Sequence, residues 1–169
     1  MDTDEHGFMS EQMTHKQAVR RIGNWLKNTK SCPVVILELA TANHETPDAL
    51  AFYGGGSSIL VECKVSRADF LSDRNKSFRL DPEQGMGDVR YFATPPGIIK
   101  ESDDLEDWGL LEIHERCVKV VREPQPQTAN KRAEIKMLMS AIRRLQIATA
   151  VYVVAEPELP ATEIVADRV

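Results

Sequence analysis

The sequence predicts an α/β domain, with a central mixed β-sheet flanked by helices on both sides. Short apolar segments typical of strands alternate with longer segments whose apolar residues recur every three or four positions, as in amphipathic helices. Two strand segments are joined by three glycines, which is typical of an antiparallel hairpin, whereas others are separated by helical segments that can connect parallel strands. At 169 residues, 42% of them hydrophobic, the chain has the size and composition of one globular domain.

The first third of the chain predicts one helix and three strands. Apolar residues at helical spacing predict a helix over residues 10–28. VVILELA (34–40) is apolar on both faces and predicts a buried strand, and the segments 48–53 and 58–65 predict two more. The glycines at 54–56 indicate a hairpin rather than a phosphate-binding loop, because no Gly-Lys-Ser/Thr sequence follows them.

The middle of the chain predicts a helix and then three strands. Ser66 can cap a helix that runs to about Leu80. VRYFAT (89–94) predicts the next strand, and the segments 108–113 and 117–121 predict a hairpin.

The C-terminal part predicts a last helix and a last strand. A Pro- and Gln-rich segment precedes a helix over residues 131–146, and AVYVV (150–154) predicts the final strand. The helix is expected to bury one stripe, formed by Ile135, Leu138, Met139, Ile142 and Leu145. We therefore expect a single domain over 1–169, with its core at about 10–122 and a loose acidic tail at 155–169.

Composition argues against several classes of protein. No 18-residue apolar run is present to span a membrane, and the acidic, polar segment 1–12 does not resemble a signal peptide. Three widely spaced cysteines, Cys32, Cys63 and Cys117, suit reduced thiols and predict a cytoplasmic protein.

Net charge is −5, which argues against strong nonspecific binding of polyanions. Basic residues nevertheless cluster in three segments, 10–30, 64–80 and 131–144, which keeps nucleic acid open as a partner. The alternative is that these charges form ordinary solvated helix faces.

Three charged residues interrupt the two strands of the predicted hairpin. A three-glycine loop pairs Tyr53 with Ser57, so the numbers of paired residues sum to 110. Asp48 then lies opposite Glu62 on one face of the sheet, and Lys64 follows on the same face. Two carboxylates this close repel each other unless a cation lies between them.

A divalent metal fits such a pair of carboxylates. Mg²⁺ commonly uses one or two protein carboxylates and takes its other ligands from water and substrate phosphate. With Lys64 beside it to offset charge in the transition state, the arrangement predicts phosphodiester hydrolysis. The alternative is a cross-strand ion network without catalytic function.

Pro47-Asp48 and Glu62-Cys63-Lys64 resemble the signature of the PD-(D/E)XK nuclease superfamily. The order helix, strand, hairpin, helix, strand also resembles its restriction-endonuclease-like core. More narrowly, VECKVSRADFLSDRNKSFR is similar to the MmcB-like branch, which is associated with DNA repair, and to small phage or prophage proteins. GMGDVRYFATPPGII followed by WGLLEI resembles those phage-type proteins too, so the resemblance covers about residues 34–114.

The resemblance implies a nuclease that hydrolyses DNA with Mg²⁺ or Mn²⁺. Asp48 and Glu62 would be the metal ligands, the backbone carbonyl of Cys63 would face the metal, and Lys64 would be the catalytic lysine. Superfamily members often add an earlier acidic residue, and Glu38 is the candidate. Glu38 could equally be the structural partner of a lysine.

Further candidates lie around these residues. Glu11 and Glu45 are weaker candidates for the additional carboxylate. Arg67, Arg74 and Lys76 are candidate contacts to DNA, although the two arginines could instead pair structurally. Asp69 and Asp73 are expected to pair with neighbouring bases.

Two function classes lead the hypotheses that the sequence leaves open, ahead of a structural subunit of a larger complex whose charges bind a partner's basic residue. The first is a metal-dependent nuclease, endo- or exonucleolytic, in DNA repair or in phage DNA metabolism. The second is a catalytically silent nuclease-like binding module that recognises DNA or a host defence or repair protein. By analogy with the superfamily a homodimer is also conceivable.

Overall fold

The structure, a computed structural model, describes residues 12–40, 46–73 and 81–145. Within them it confirms the predicted α/β class, because six strands form one mixed sheet against which α-helices pack. No helix in these ranges is long and apolar enough to cross a membrane. The predicted strand 150–154 and tail 155–169 lie outside the described residues. So do four candidate site residues, Glu11, Glu45, Arg74 and Lys76.

The elements follow the predicted order. The strands are β1 (Val34–Leu37), β2 (Ala49–Tyr53), β3 (Ser57–Cys63), β4 (Val89–Thr94), β5 (Gly109–Ile113) and β6 (Val118–Arg122). The helices are α1 (His15–Asn28), α2 (Arg67–Asp73) and α3 (Lys131–Arg144). The strands lie in sequence order across the sheet: β1 to β3 are antiparallel, β3 to β5 are parallel, and β6 is antiparallel to β5.

The predicted register of the β2–β3 hairpin is confirmed. Ala49 pairs with Val61 and Tyr53 pairs with Ser57, so paired numbers sum to 110. The turn contains Gly55 and Gly56 at φ 73° and 85°, a left-handed conformation that glycine adopts without steric cost. One step beyond the last ladder pair, Asp48 comes opposite Glu62.

β1 is shorter than the sequence predicts. It ends at Leu37, and Glu38 takes a left-handed conformation with φ 47°. A non-glycine residue there turns the chain out of the extended conformation, which ends the strand. The Glu38 N–H still donates to the carbonyl oxygen of Asp48 at 3.1 Å, so Glu38 stays beside the hairpin.

Side chains that alternate along the strands form a core on each face of the sheet. On one face α1 packs over a core whose buried strand residues are odd-numbered, and Ile22, Leu26 and Val61 belong to it. On the other, Phe70 of α2 and Met137 of α3 pack against the even-numbered residues, which include Leu50, Leu60 and Phe92. Trp25 lies in the first core and Trp108 in the second, and both are buried.

The expected buried stripe of α3 is wrong. Four of its five residues are 47 to 69% exposed: Ile135, Met139, Ile142 and Leu145. The helix instead buries Ala133, Glu134 and Met137. Polar contacts explain why this other face of the helix turns toward the sheet. Glu134 Oε1 accepts hydrogen bonds from the Ser58 hydroxyl at 2.6 Å and the Gly87 N–H at 2.8 Å.

Candidate functional site

The hairpin holds Asp48 against the end of β3. The backbone N–H of Cys63 donates to Asp48 Oδ2 at 2.7 Å, which fixes the carboxylate beside the Glu62–Cys63 peptide. The Asp48 side chain is 16% exposed, so one side of it remains open to solvent. The local cause is the hairpin register, since a one-residue slip would move Asp48 to the other face.

Glu62 and Lys64 lie on the face of the sheet that α2 covers, and both are almost fully buried. Lys64 Nζ is 3.3 Å from Glu62 Oε2 and 3.0 Å from Asp73 Oδ1 on α2. Asp73 is itself 1% exposed. The expected pairing of Asp73 with a basic residue is thus confirmed, and Lys64 is one such partner.

Lys64 is a fixed positive charge in this setting. Burial by itself lowers the pKa of Lys64, but the carboxylates of Glu62, Asp73 and Asp69 outweigh burial and hold that pKa above its usual range. At neutral pH the ammonium is therefore protonated. It can donate hydrogen bonds and balance negative charge, but it is not a base.

The pKa of the Cys63 thiol reflects the carboxylates near the end of β3. The Cys63 side chain points into the opposite core and is fully buried. Burial raises the pKa of the thiol well above its usual range, and Asp48, Glu62 and Glu38 raise it further, while Lys64 opposes them. Three of the predicted acidic residues and the predicted lysine therefore lie close enough to the end of β3 to act on this thiol.

His15 joins this cluster and was not singled out in the sequence. Its Nε2 lies 3.2 Å from Asp48 Oδ1 and 3.6 Å from Glu38 Oε1. It is the first residue of α1, behind a capping box formed by Thr14 and Gln17. That box marks His15 as the start of a helix, but where the helix points depends on packing that no local pattern specifies.

Arg67 is held by an acidic partner. Its guanidinium forms a bidentate ion pair with Asp103, with Nη2 2.7 Å from Oδ1, and it also donates to the carbonyl oxygen of Ile98 at 3.1 Å. The same group lies over the Phe70 ring, 5.4 Å from its centre. These contacts match the structural alternative for Arg67 rather than a free contact to phosphate.

The donor types suit Mg²⁺ or Mn²⁺, but the set of side chains is small. Within the described ranges no group of three or more His, Cys, Asp or Glu side chains has a geometry that could hold a metal ion. Asp48, Glu62 and the Cys63 carbonyl are hard oxygen donors of the kind that Mg²⁺ supplements with water and phosphate. Glu38 stays a candidate for an additional ligand.

Comparison with known proteins finds a similar fold but no protein of known function. No protein-family model and no curated protein sequence matches the chain. One solved structure is similar, described as the SPO1766 protein of unknown function from Silicibacter pomeroyi, at 23% identity and a TM-score of 0.59. The match covers 86% of this chain and 100% of that one. At this level of identity the likeness concerns the fold alone.

Proposed function

We propose that the protein is a metal-dependent nuclease that hydrolyses phosphodiester bonds of DNA. One observation carries the proposal: the hairpin register brings Asp48 opposite Glu62, with Lys64 Nζ 3.3 Å from Glu62. The observed order α1, β1, β2, β3, α2, β4 agrees with the order that carries the resemblance to PD-(D/E)XK nucleases. The proposal includes a cytoplasmic location, which the three free cysteines support.

The residues of this chain have separate roles in the proposed reaction. Asp48, Glu62 and the Cys63 carbonyl would hold Mg²⁺ or Mn²⁺, which when bound polarises a phosphoryl oxygen and lowers the pKa of water. Asp48 is oriented for this by the Cys63 amide, which leaves Oδ1 toward His15 and solvent. Lys64 stays protonated and offsets the negative charge that develops on the phosphate.

A second candidate function also has a specific observation in its favour. Lys64 lies between Glu62 and Asp73, and all three side chains are buried, so the site resembles a buried ion network. Such a network is compatible with a catalytically silent binding module that recognises DNA or a defence or repair protein. Metal binding separates the two candidates.

The test is calorimetric titration of Mn²⁺ and Mg²⁺ into the wild type, Asp48→Asn and Lys64→Met, with cleavage assays on plasmid and single-stranded DNA. Asn keeps an oxygen for the Cys63 amide but loses the charge, so we expect metal affinity to fall at least about tenfold. Lys64→Met should still bind metal but lose about 10²-fold or more in kcat.

The control is Glu101→Gln, which removes an exposed carboxylate far along the chain from the hairpin. It should bind metal and cut DNA like the wild type. Absence of metal binding by the wild type would refute the nuclease proposal and favour the binding module. Equal metal affinity in the wild type and Asp48→Asn would do the same.

A further inference from the structure

β1 forms one edge of the described sheet, and it is apolar yet poorly covered. Its sequence is VVIL, but Val34 and Leu37 are 41% and 39% exposed. An edge strand offers a row of peptide N–H and C=O groups to any strand that can pair with it. An apolar strand in that position is expected to have a partner.

The register of β1 shows which peptide groups face outward. Glu38 N–H bonds to the Asp48 carbonyl, and the same pairing relates Val34 to Phe52. In an antiparallel pair, the peptide groups of alternate residues hydrogen-bond to the neighbouring strand. The N–H and C=O groups of Val34, Ile36 and Glu38 therefore point toward β2. The peptide groups of Val35 and Leu37 therefore point away from the sheet.

The C-terminal end of α3 contacts the chain just beyond β1. Arg144, the last residue of α3, donates a hydrogen bond from Nη2 to the Ala40 carbonyl at 2.6 Å, and Ala40 lies three residues beyond the end of β1. Residues 146–149, which follow α3, can span up to about 13 Å. The next segment, AVYVV (150–154), consists mainly of β-branched and aromatic residues, which favour strands.

We propose that residues 150–154 of the same chain bind the free edge of β1 as an antiparallel strand. The antiparallel direction follows from the Arg144 contact, because a segment that starts near the C-terminal end of β1 would run back along that strand. A tethered segment acts at an effective concentration of about millimolar, an advantage that a second copy of the chain lacks. The inference concerns the sheet edge and does not depend on the proposed nuclease activity.

The first test is amide hydrogen exchange in the full chain, wild type against V151P/Y152P. Adjacent strand residues point their N–H groups to opposite sides, so this double change removes a donor toward β1 in either register. We expect the amides of Val35 and Leu37 to exchange about tenfold faster or more in the variant. The amide of Val61, in the centre of the sheet, should be unchanged and shows that the fold is intact.

I164P/V165P, in the segment beyond 155, is the matched control and should leave Val35 and Leu37 as slow as in the wild type. Equal exchange rates in the wild type and V151P/Y152P would overturn the proposal. So would protection that depends on protein concentration together with a dimer mass, because the partner would then be a second copy.

A second measurement does not rely on a destabilising change. Tyr152 is replaced by the photo-crosslinker p-benzoylphenylalanine, which keeps the phenyl ring and carries a benzoyl group in place of the hydroxyl, and the products are mapped by mass spectrometry. The expected product is an intramolecular crosslink to residues 33–40. Crosslinks that are only intermolecular, or only to other parts of the chain, would contradict the proposal.

Discussion

Lys64 shows how one buried residue can join stability to chemistry. Its ammonium group is 3.3 Å from a carboxylate oxygen of Glu62 and 3.0 Å from one of Asp73, and all three side chains are buried. Removal of one partner from such a group leaves uncompensated buried charge, which costs more than the pairing itself contributes. The same protonated group is the one that the proposed reaction needs next to the phosphate.

We therefore predict that Lys64→Met lowers the free energy of unfolding by about 3–5 kcal/mol at neutral pH. Chemical denaturation measures this, with Lys119→Met, which removes an exposed lysine from β6, as the control that should change little. A free energy of unfolding for Lys64→Met equal to that of the wild type would mean that Lys64 does not compensate the two carboxylates.

The raised pKa of Lys64 fixes the sign of its pH dependence. Its stabilisation is fully present below its unfolded pKa of about 10.4 and is lost as pH rises through the higher folded value. The wild type should therefore lose no stability through Lys64 between about pH 6 and pH 9.

At the scale of single residues, the sequence predicts whatever depends on strand alternation. Asp48, Glu62 and Lys64 share a face because their spacing and a three-glycine loop determine the register. His15 could not be found in this way, because its contact with Asp48 depends on how α1 lies on the sheet. Long-range packing of that kind has no signature within a window of a few residues.

At the scale of elements, α3 shows where hydrophobic periodicity fails. The most apolar face of the helix lies outward, because the face toward the sheet carries the polar contacts of Glu134 and Lys131. Lys131 Nζ is 2.5 Å from Asp88 Oδ2 and 3.1 Å from Glu134 Oε2. The spacing of apolar residues cannot predict this orientation of α3, because it assigns every glutamate to the exposed face. Glu134 is instead buried, with the Ser58 hydroxyl as a hydrogen-bond partner.

Two methionines of α3 distinguish the observed rotation from the expected one. Met137 is fully buried, so we predict that Met137→Ala lowers the free energy of unfolding by about 2–5 kcal/mol. Met139 is 57% exposed, so Met139→Ala should change it by less than about 0.5 kcal/mol. Chemical denaturation of both variants measures the difference, and a larger loss for Met139→Ala would show that the helix packs as its periodicity suggested.

At the scale of the whole molecule, one sheet carries two cores. Leu60 and Val61 are neighbours on β3, and their side chains enter different cores. The backbone hydrogen bonds that place one side chain also place the other. Loss of the sheet on one face therefore removes the support of the other face.

We predict that the two cores unfold in a single transition. The chain has two tryptophans, Trp25 in the core under α1 and Trp108 in the core under α2 and α3, and each is buried. In Trp25→Phe only Trp108 reports by fluorescence, and in Trp108→Phe only Trp25 does. Within each variant, the denaturation midpoint from fluorescence should equal the midpoint from far-ultraviolet circular dichroism. A fluorescence midpoint that falls below the dichroism midpoint in just one variant would show that the core around its remaining tryptophan opens first, and the shared sheet would then not couple the two faces.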